Sequence, residues 1–288
     1  MINSKFILKC VIMRREPAAA NAFYTKEKTE LVEQVDRFLS NVRLTDKSIK
    51  NAVSYVAPHA GYKYSGQVAA FAYKALSMKK DLNSIDSFVI VGPNHTGLGY
   101  PISVSATDWD TPVGLVKNDL ELSKEIARQS DRITVDEDAH RLEHSVEVQL
   151  PFLQQVMKTP RCCFVCMGDQ SLDYCKTLSS AVLKGAKTLG RKVVVIASSD
   201  FNHYESAKIA EQKDISAINE LKDLKFEQFH RKIEELEDSA CGYGPITVSA
   251  MFAKEMGAKS GILLRYSNSG EITGDYRSVV AYSSIAFL

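Results

Sequence analysis

The sequence of 288 residues has no excess of charge of either sign. Its 36 lysines and arginines stand against 35 aspartates and glutamates, which gives a formal net charge of +1. Proteins that bind nucleic acid or an anionic membrane usually carry a pronounced basic excess on the binding face. The composition therefore argues against nucleic acid and against a membrane as partners.

Long apolar runs and a dense set of cysteines are lacking as well. The apolar run at residues 6–13 is interrupted by Lys9, is too short to span a bilayer and is a poor match to a secretory signal. The six cysteines are unevenly spaced, which is typical of a reduced protein of the cytoplasm. We expect a cytoplasmic protein whose hydrophobic content of 45% forms a core without disulfides.

The pair Cys163-x-x-Cys166 resembles one half of a zinc site. However, the apolar segment 162–167 predicts a strand, and strand positions three apart face opposite sides of a sheet. We therefore interpret both cysteines as small buried hydrophobic residues.

One pattern occurs three times in the sequence. A short run of apolar, often β-branched residues ends at small or turn-forming residues, and a histidine follows within a few positions. The runs are residues 53–57, 88–92 and 193–197, and the histidines are His59, His95 and His203. Such runs predict buried strands of a largely parallel sheet, and ligands of open α/β sheets bind beyond the carboxyl ends of the strands. We therefore predict that the three histidines share one site, as metal ligands or as a general base.

Segments with helical periodicity separate the predicted strands. They lie at residues 25–39, 66–77, 119–128, 171–189, 206–221 and 226–236. Ser65 is the expected cap of the second segment, and Pro151 is expected to kink a helix or to start a new one. Pro245 is suited to the first position of a helix that Gly257 ends.

Strands and helices alternate through most of the chain. This alternation predicts one α/β domain over residues 14–288, with a largely parallel or mixed central sheet flanked by helices. Residues 1–13 are expected to be an N-terminal extension or an edge strand.

Cys241 lies in a glycine-rich turn just before the predicted helix at Pro245. The positive end of a helix dipole lowers the pKa of a thiol and favours the thiolate, which can bind a metal or act as a nucleophile. A buried structural cysteine fits the local sequence equally well.

The stretch from His140 to His144 matches the inverted zinc-protease pattern H-x-x-E-H. On a helix, both histidines would face the same way and Glu143 would be the base. The pattern is short and requires a third ligand, and the acidic segment 136–138 before it is typical of a loop. We favour a role for Glu143 and His144 in supporting the ligands or in lining the rim of the site.

Four further polar residues fall near the predicted strand ends. Asp200 is placed to orient the imidazole of His203 for acid–base chemistry. Tyr62, Tyr64 and Tyr243 either line the pocket or pack in ordinary loops.

Several stretches occur together in a fixed order, and they include Arg15-Glu16-Pro17-Ala18, Ala57-Pro58-His59-Ala60-Gly61-Tyr62, Gly92-Pro93-Asn94-His95, Glu143-His144-Ser145-Val146-Glu147, Ser198-Ser199-Asp200-Phe201 with His203, and Cys241-Gly242. Taken together, these motifs resemble the MEMO family (mediator of ErbB2-driven cell motility). The chain departs from the family at Asn21, where glycine is usual, and at Thr25, where proline is common.

The resemblance implies a fold like that of class III extradiol dioxygenases, which hold ferrous iron with two histidines and a glutamate. His59 and His95 would match the metal histidines, Cys241 would replace the carboxylate, and His203 would match the acid–base histidine. The resemblance implies iron or copper as the cofactor, ahead of zinc. It does not imply ring cleavage, because a thiolate is a softer ligand than a carboxylate.

Two functions follow as hypotheses. The first is a metal-dependent oxidoreductase acting on a small molecule or a peptide. The second is a non-catalytic module that binds a peptide or a protein in the same cleft. Microbial members of the family are associated with a radical-SAM protein, so the resemblance also implies a pathway partner of that kind if the chain is microbial.

Overall fold

Apolar strands and amphipathic helices alternate along the chain, as the sequence predicts. The computed structural model describes residues 14–288, so the prediction for residues 1–13 lies outside the described part of the chain. The strands are β1 (Arg14–Arg15), β2 (Ser54–Ala57), β3 (Ser87–Pro93), β4 (Ile102–Val104), β5 (Asp108–Thr111), β6 (Gly114–Asn118), β7 (Ile133–Val135), β8 (Arg161–Met167), β9 (Val193–Ser198), β10 (His203–Glu205), β11 (Gly261–Asn268) and β12 (Val279–Phe287). The helices are α1 (Lys28–Asn41), α2 (Tyr62–Ser77), α3 (Leu120–Arg128), α4 (Asp138–Arg141), α5 (Leu150–Val156), α6 (Leu172–Thr188), α7 (Ala207–Lys222), α8 (Phe226–Glu235), α9 (Tyr243–Glu255) and α10 (Gly270–Thr273).

All the described strands belong to one mixed sheet. Its order is β1-β5-β6-β8-β3-β9-β2-β12-β10, with β11 beside β12, and with β4 pairing both β7 and β8. The neighbours β8, β3, β9 and β2 are parallel to one another, whereas β12 runs antiparallel to β2. The prediction of one α/β fold around a largely parallel or mixed sheet is confirmed.

The central strands are buried on both faces, which explains their continuous apolar runs. Along β3, Phe88 and Ile90 pack into one hydrophobic cluster, while Val89 and Val91 pack into another on the opposite face. Successive strand residues point to opposite faces, so a strand covered on both sides needs apolar residues at every position.

Three helix starts differ from the predicted positions by two residues or more, and the first is that of α1, which begins at Lys28 and not at residue 25. Helix α2 begins at Tyr62 and is capped by Gly61, so Ser65 is not its cap. The reason is that Tyr62 and Ser65 are both buried in the first turn, where the Ser65 hydroxyl donates to the carbonyl of Ala60. Helix α9 begins at Tyr243, which places Pro245 third in the helix, where its missing N–H costs nothing.

Two residues that were predicted to start or to end a helix do so. Pro151 lies in the first turn of α5, directly after a 3₁₀ turn at Glu147–Gln149, so it marks a new helix start. Gly257 follows α9 with φ of +92°, a left-handed conformation that favours glycine at helix ends.

The Cys163 and Cys166 thiols are buried in β8, as predicted from the strand pattern. Cys163 Sγ lies 3.7 Å from the carbonyl of Asp119, and Cys166 Sγ lies 3.8 Å from that of Pro93. Burial raises the pKa of both thiols, so both stay protonated. Among residues 14–288, no helix has both the length and the apolarity that crossing a membrane requires.

Candidate metal centre

Three central strands deliver polar side chains to one edge of the sheet. His59 follows β2, His95 follows β3 and Asp200 follows β9, each two residues after the strand ends. These strands are parallel neighbours in the order β3-β9-β2, so their carboxyl ends meet at one edge. The predicted convergence of His59 and His95 is present in the structure.

A third histidine joins them from the loop after α4. One ligand atom from each of His59, His95 and His144 lies within 4.8 Å of the others, and this is the one such group of three among the described residues. The ring centroids are 5.1 Å apart for His59 and His95, 5.4 Å for His59 and His144, and 4.6 Å for His95 and His144. The side chains are 2%, 32% and 20% exposed in chain order, so the cluster opens to solvent at His95.

The position of His144 depends on a glycine in β3. A Cβ atom at Gly92 would collide with the side chain of Ser145. Without it, the Ser145 hydroxyl reaches the carbonyl of Pro93 at 3.0 Å and holds the loop against the strand end. His144, the preceding residue, is thereby carried to the site.

Glu143 holds two of the histidines in place. Its carboxylate accepts the backbone N–H of His95 (2.6 Å) and Nδ1 of the same residue (2.9 Å), as well as the backbone N–H of His144 and Ser145 (both 2.9 Å). Burial acts to raise the pKa of Glu143, but these hydrogen bonds outweigh it and lower the pKa to about 2. Glu143 is therefore an ionised residue that supports His95 and His144.

The tautomer of His59 follows from its hydrogen bonds. The single proton of the Ser198 hydroxyl is donated to the carbonyl of Ser145 at 2.6 Å. Since His59 Nδ1 lies 2.9 Å from the same hydroxyl oxygen, Nδ1 must be the donor. Nε2 of His59 then carries a lone pair, which is the form that binds a metal.

The histidines are held in the neutral form. Burial, together with the neighbouring imidazoles, lowers the pKa of His59 well below its usual value. Burial likewise lowers the pKa of His144 to about 4, against the opposing effect of Glu143. Both rings are therefore neutral at pH 7, and a cation can bind without first displacing protons from them.

Cys241 touches the cluster at one member only. Its Sγ lies 3.1 Å from His59 Nε2 and 3.7 Å from the carbonyl of Asp200, but it is not part of the group of three. Burial and the Asp200 carboxylate raise the pKa of the thiol well above its usual value. This is opposite to the thiolate expected from the helix N-terminus, because desolvation of this thiol exceeds the effect of the helix dipole.

Asp200 and His203 take separate roles. Asp200 Oδ1 accepts the backbone N–H of His59 at 2.8 Å and that of Ala60 at 3.2 Å, so Asp200 fixes the His59 loop. His203 is oriented by Ser239 instead, whose hydroxyl accepts the backbone N–H of His203 at 2.7 Å and whose carbonyl lies 3.0 Å from Nδ1. His203 is half-buried and lies outside the group of three.

The three tyrosines differ in position. Tyr62 is a core residue whose hydroxyl donates to the carbonyl of Val148, and Tyr243 packs against the ring of His230 at 5.0 Å. Tyr64 is 39% exposed. Phe23, for which the sequence predicts no role at the site, stacks on His144 with ring centroids 4.1 Å apart.

His140 does not join His144 in a metal site. Helix α4 ends at Arg141, so the two histidines do not share a helix. The ring of His140 is fully buried with its edge against Trp109 at 5.5 Å, and neither ring nitrogen has a hydrogen-bond partner among the described residues. The geometry gives no support to the zinc-protease pattern.

The family is settled by comparison with known sequences. The profile of the family described as "Memo-like protein" matches residues 15–286, which is nearly the whole chain. The chain belongs to the Memo-like protein family. Similar proteins include the MEMO1 family protein of Methanococcus maripaludis strain C5, 38% identical over 283 residues, which cover 95% of this chain and 99% of the relative.

Two further relatives are similar over almost their full lengths. The MEMO1 family protein of Methanosarcina barkeri is 38% identical over 272 residues, covering 94% of this chain and 98% of the relative. That of Methanococcoides burtonii is 40% identical over 272 residues, with the same coverage. The Memo-like chain therefore aligns with whole relatives and not with a single part of them.

Proposed function

We propose that this Memo-like protein binds iron or copper at His59, His95 and His144, beside Cys241, and that the site performs a redox reaction. The observation that carries the proposal is the set of three imidazoles whose ligand atoms lie within 4.8 Å of one another. Neutral imidazole is a common ligand of iron and copper.

The surrounding residues fit a metal. Histidines that bind metals usually donate the N–H of their other ring nitrogen to a carboxylate or to another acceptor, which fixes the ring orientation and the tautomer. Here Nδ1 of His95 contacts Glu143 at 2.9 Å, and Nδ1 of His59 donates to Ser198 at 2.9 Å. Both rings thus present Nε2 as the remaining ligand atom.

Cys241 is suited to respond to a cation at this site. A bound cation lowers the pKa of a nearby thiol and can deprotonate it. The thiol lies 3.1 Å from Nε2 of His59, so the same cation would face both groups. A soft thiolate favours iron or copper over the hard ions magnesium and calcium.

Bound iron or copper would supply one-electron exchange and Lewis acidity. The chain itself would hold the site in shape and would supply the group that gives and takes protons. Asp200 holds the His59 loop, and His203, oriented by Ser239, is the candidate acid–base group beside the opening. Ring cleavage is a poorer fit, because the carboxylate of Glu143 is already occupied by four N–H donors.

The exposed aromatic rim favours the second candidate function, capture of a peptide. Tyr204 is 78% exposed and its ring contacts that of His203, with centroids 5.7 Å apart. Exposed tyrosines are common at binding surfaces. A peptide could therefore bind at this rim with or without turnover.

The redox proposal is tested on protein purified without oxygen and loaded with ferrous or cuprous ion. We expect metal-dependent oxygen consumption with ascorbate as reductant, and a thiolate-to-metal absorption band after loading with cupric ion. Cys241→Ser should abolish the band, whereas Cys175→Ser, which removes a buried thiol outside the group of three histidines, should keep it. Loaded protein that consumes no more oxygen than the free ion would reject the redox function, and peptide binding would then be measured.

A further inference from the structure

The turn that carries Cys241 has two backbone groups that its own helix does not satisfy. The first hydrogen bond of α9 joins the N–H of Ile246 to the carbonyl of Gly242 at 3.0 Å. The Cys241 carbonyl therefore lies outside the helix, and the residue four positions on is Pro245, which has no N–H to donate. The N–H of Gly244 lies in the first turn of α9, where backbone N–H groups have no acceptor within the helix.

One side chain satisfies both groups. Gln170, in the loop after β8, donates from Nε2 to the carbonyl of Cys241 and accepts the N–H of Gly244 at Oε1, both at 2.8 Å. A carboxamide can do this because it carries a donor and an acceptor on one planar group. Gly244 permits the approach, since a Cβ atom at that position would lie only 2.8 Å from Cβ of Gln170. The amide thus joins the two ends of the turn.

A second loop holds the same turn from the side of β9. The hydroxyl oxygen of Ser199 accepts the N–H of Gly242 at 2.9 Å, and the hydroxyl donates to the carbonyl of Asp200 at 2.7 Å. Between these supports, the Cys241 thiol lies 3.1 Å from Nε2 of His59 and 3.7 Å from the carbonyl of Asp200. The place of the thiol beside His59 therefore depends on backbone contacts from two separate loops.

We infer that Gln170 is a positioning residue, which holds the Cys241 thiol beside Nε2 of His59 by bonding to the backbone of the turn. The inference rests on the proposed function for its consequence at the metal. A thiol that is already in place does not have to be ordered when a cation arrives, so more of the interaction contributes to affinity. The placement of the thiol is a property of the metal-free protein and is tested there first.

Alkylation of the metal-free protein by iodoacetamide measures how firmly the thiol is held. Mass spectrometry of the peptide that contains Cys241 gives the rate at this thiol alone. Gln170→Met keeps the length of the side chain and removes both hydrogen bonds, so the turn opens more readily and Cys241 should be alkylated about tenfold faster. Gly244→Ala should also speed alkylation, because its Cβ atom displaces Gln170 although alanine favours a helix.

Gln154→Met is the matched control. Gln154 also bridges two groups, since it accepts the hydroxyl of Thr111 at 2.8 Å and donates to the carbonyl of Gly114 at 3.0 Å in the hairpin of β5 and β6. Both glutamines are half-buried, so both methionine variants should lose a similar free energy of unfolding. Only Gln170→Met should change the alkylation of Cys241, whereas a general loss of stability would act equally in both.

Loading with cupric ion gives the second readout. Gln170→Met should keep a metal content near the parental value through the three histidines, while its thiolate-to-metal absorption band should weaken because the thiol is no longer held in place. The inference is overturned if Cys241 of Gln170→Met is alkylated at the parental rate, if Gln154→Met is alkylated as fast, or if the band keeps its parental strength. Loaded parent protein that consumes no more oxygen than the free ion rejects the redox function alone, because the alkylation rates are measured without metal.

Discussion

Glu143 Oε1 lies 2.9 Å from Nδ1 of His95, and the same carboxylate accepts the backbone N–H of His144. One buried, ionised residue thus joins two histidines from separate loops. The contact positions the ring of His95 and leaves its Nε2 free for the cluster.

Replacing Glu143 should therefore loosen the metal site. A glutamine has one acceptor oxygen and one N–H group, so Glu143→Gln cannot serve all four donors. We expect metal affinity to fall by about 10–100-fold, as measured by competition with a chelator. Glu137→Gln is the matched control, because Glu137 accepts the N–H of Ala106 and the hydroxyls of Ser105 and Thr107 away from the histidines. Equal loss of metal in both variants would contradict the role of Glu143.

Phe23 should limit access to His144. Its ring stacks on the imidazole at 4.1 Å and comes from a tight turn whose residue Asn21 has φ of +67°. Phe23→Ala removes this cover, so we expect a chelator to extract the metal faster. Phe23→Tyr keeps the stacked ring, so the chelator should extract the metal from this variant at the parental rate. If the alanine variant releases metal no faster than the tyrosine variant, Phe23 does not cover the site.

The buried ion pair of Arg15 and Glu147 should dominate the stability of the N-terminal segment. Arg15 Nη1 lies 2.5 Å from Glu147 Oε2, and the two side chains are 5% and 0% exposed. Arg15→Met leaves the carboxylate buried without its partner, and we expect the free energy of unfolding to fall by about 3–5 kcal/mol in urea titrations.

The neighbouring pair gives the control. Arg14 is 48% exposed and 3.9 Å from Asp110, so Arg14→Met should cost less than about 1 kcal/mol. The double variant Arg15→Met/Glu147→Gln should lose less free energy of unfolding than the two single variants lose together, because neither charge is left without its partner. Additive losses would show that the pair does not interact.

Asp214 should make the protein less stable as the pH rises. Burial, together with Asp238 beside it, raises the pKa of Asp214 to about 9, while the hydroxyl of Tyr266 donates to it at 2.6 Å. The folded protein then binds a proton that the unfolded chain loses near pH 4, so stability falls from about pH 4 to about pH 9.

Urea unfolding at pH 5, 7 and 9 measures this slope. Asp214→Asn mimics the protonated carboxyl and should flatten it, whereas Asp173→Asn on the exposed face of α6 should leave it unchanged. A parental slope in the Asp214→Asn protein would assign the pH dependence to other groups.

The sequence was most informative where a residue follows a regular element. His59, His95 and Asp200 each come two residues after a parallel strand, and strand order alone brings them together. His144 could not be placed in this way, because its position depends on the contact between Gly92 and Ser145. Such a contact joins residues 53 positions apart and has no periodicity to reveal it.

Protonation states were the hardest features to predict from the sequence. The helix start after Cys241 favoured a thiolate, but the buried neighbourhood of the thiol, with Asp200 beside it, raises its pKa instead. The family difference at Asn21 has a simple local reason, since asparagine tolerates the positive φ that glycine adopts freely.

The central claim is that His59, His95 and His144 hold the metal. Its most direct test is elemental analysis of protein purified without oxygen, for the parent, His144→Ala and His140→Ala. We predict near-stoichiometric iron or copper in the parent and in His140→Ala, and a marked loss in His144→Ala. Full metal content in His144→Ala, or none in the parent after reconstitution with either ion, would contradict the account.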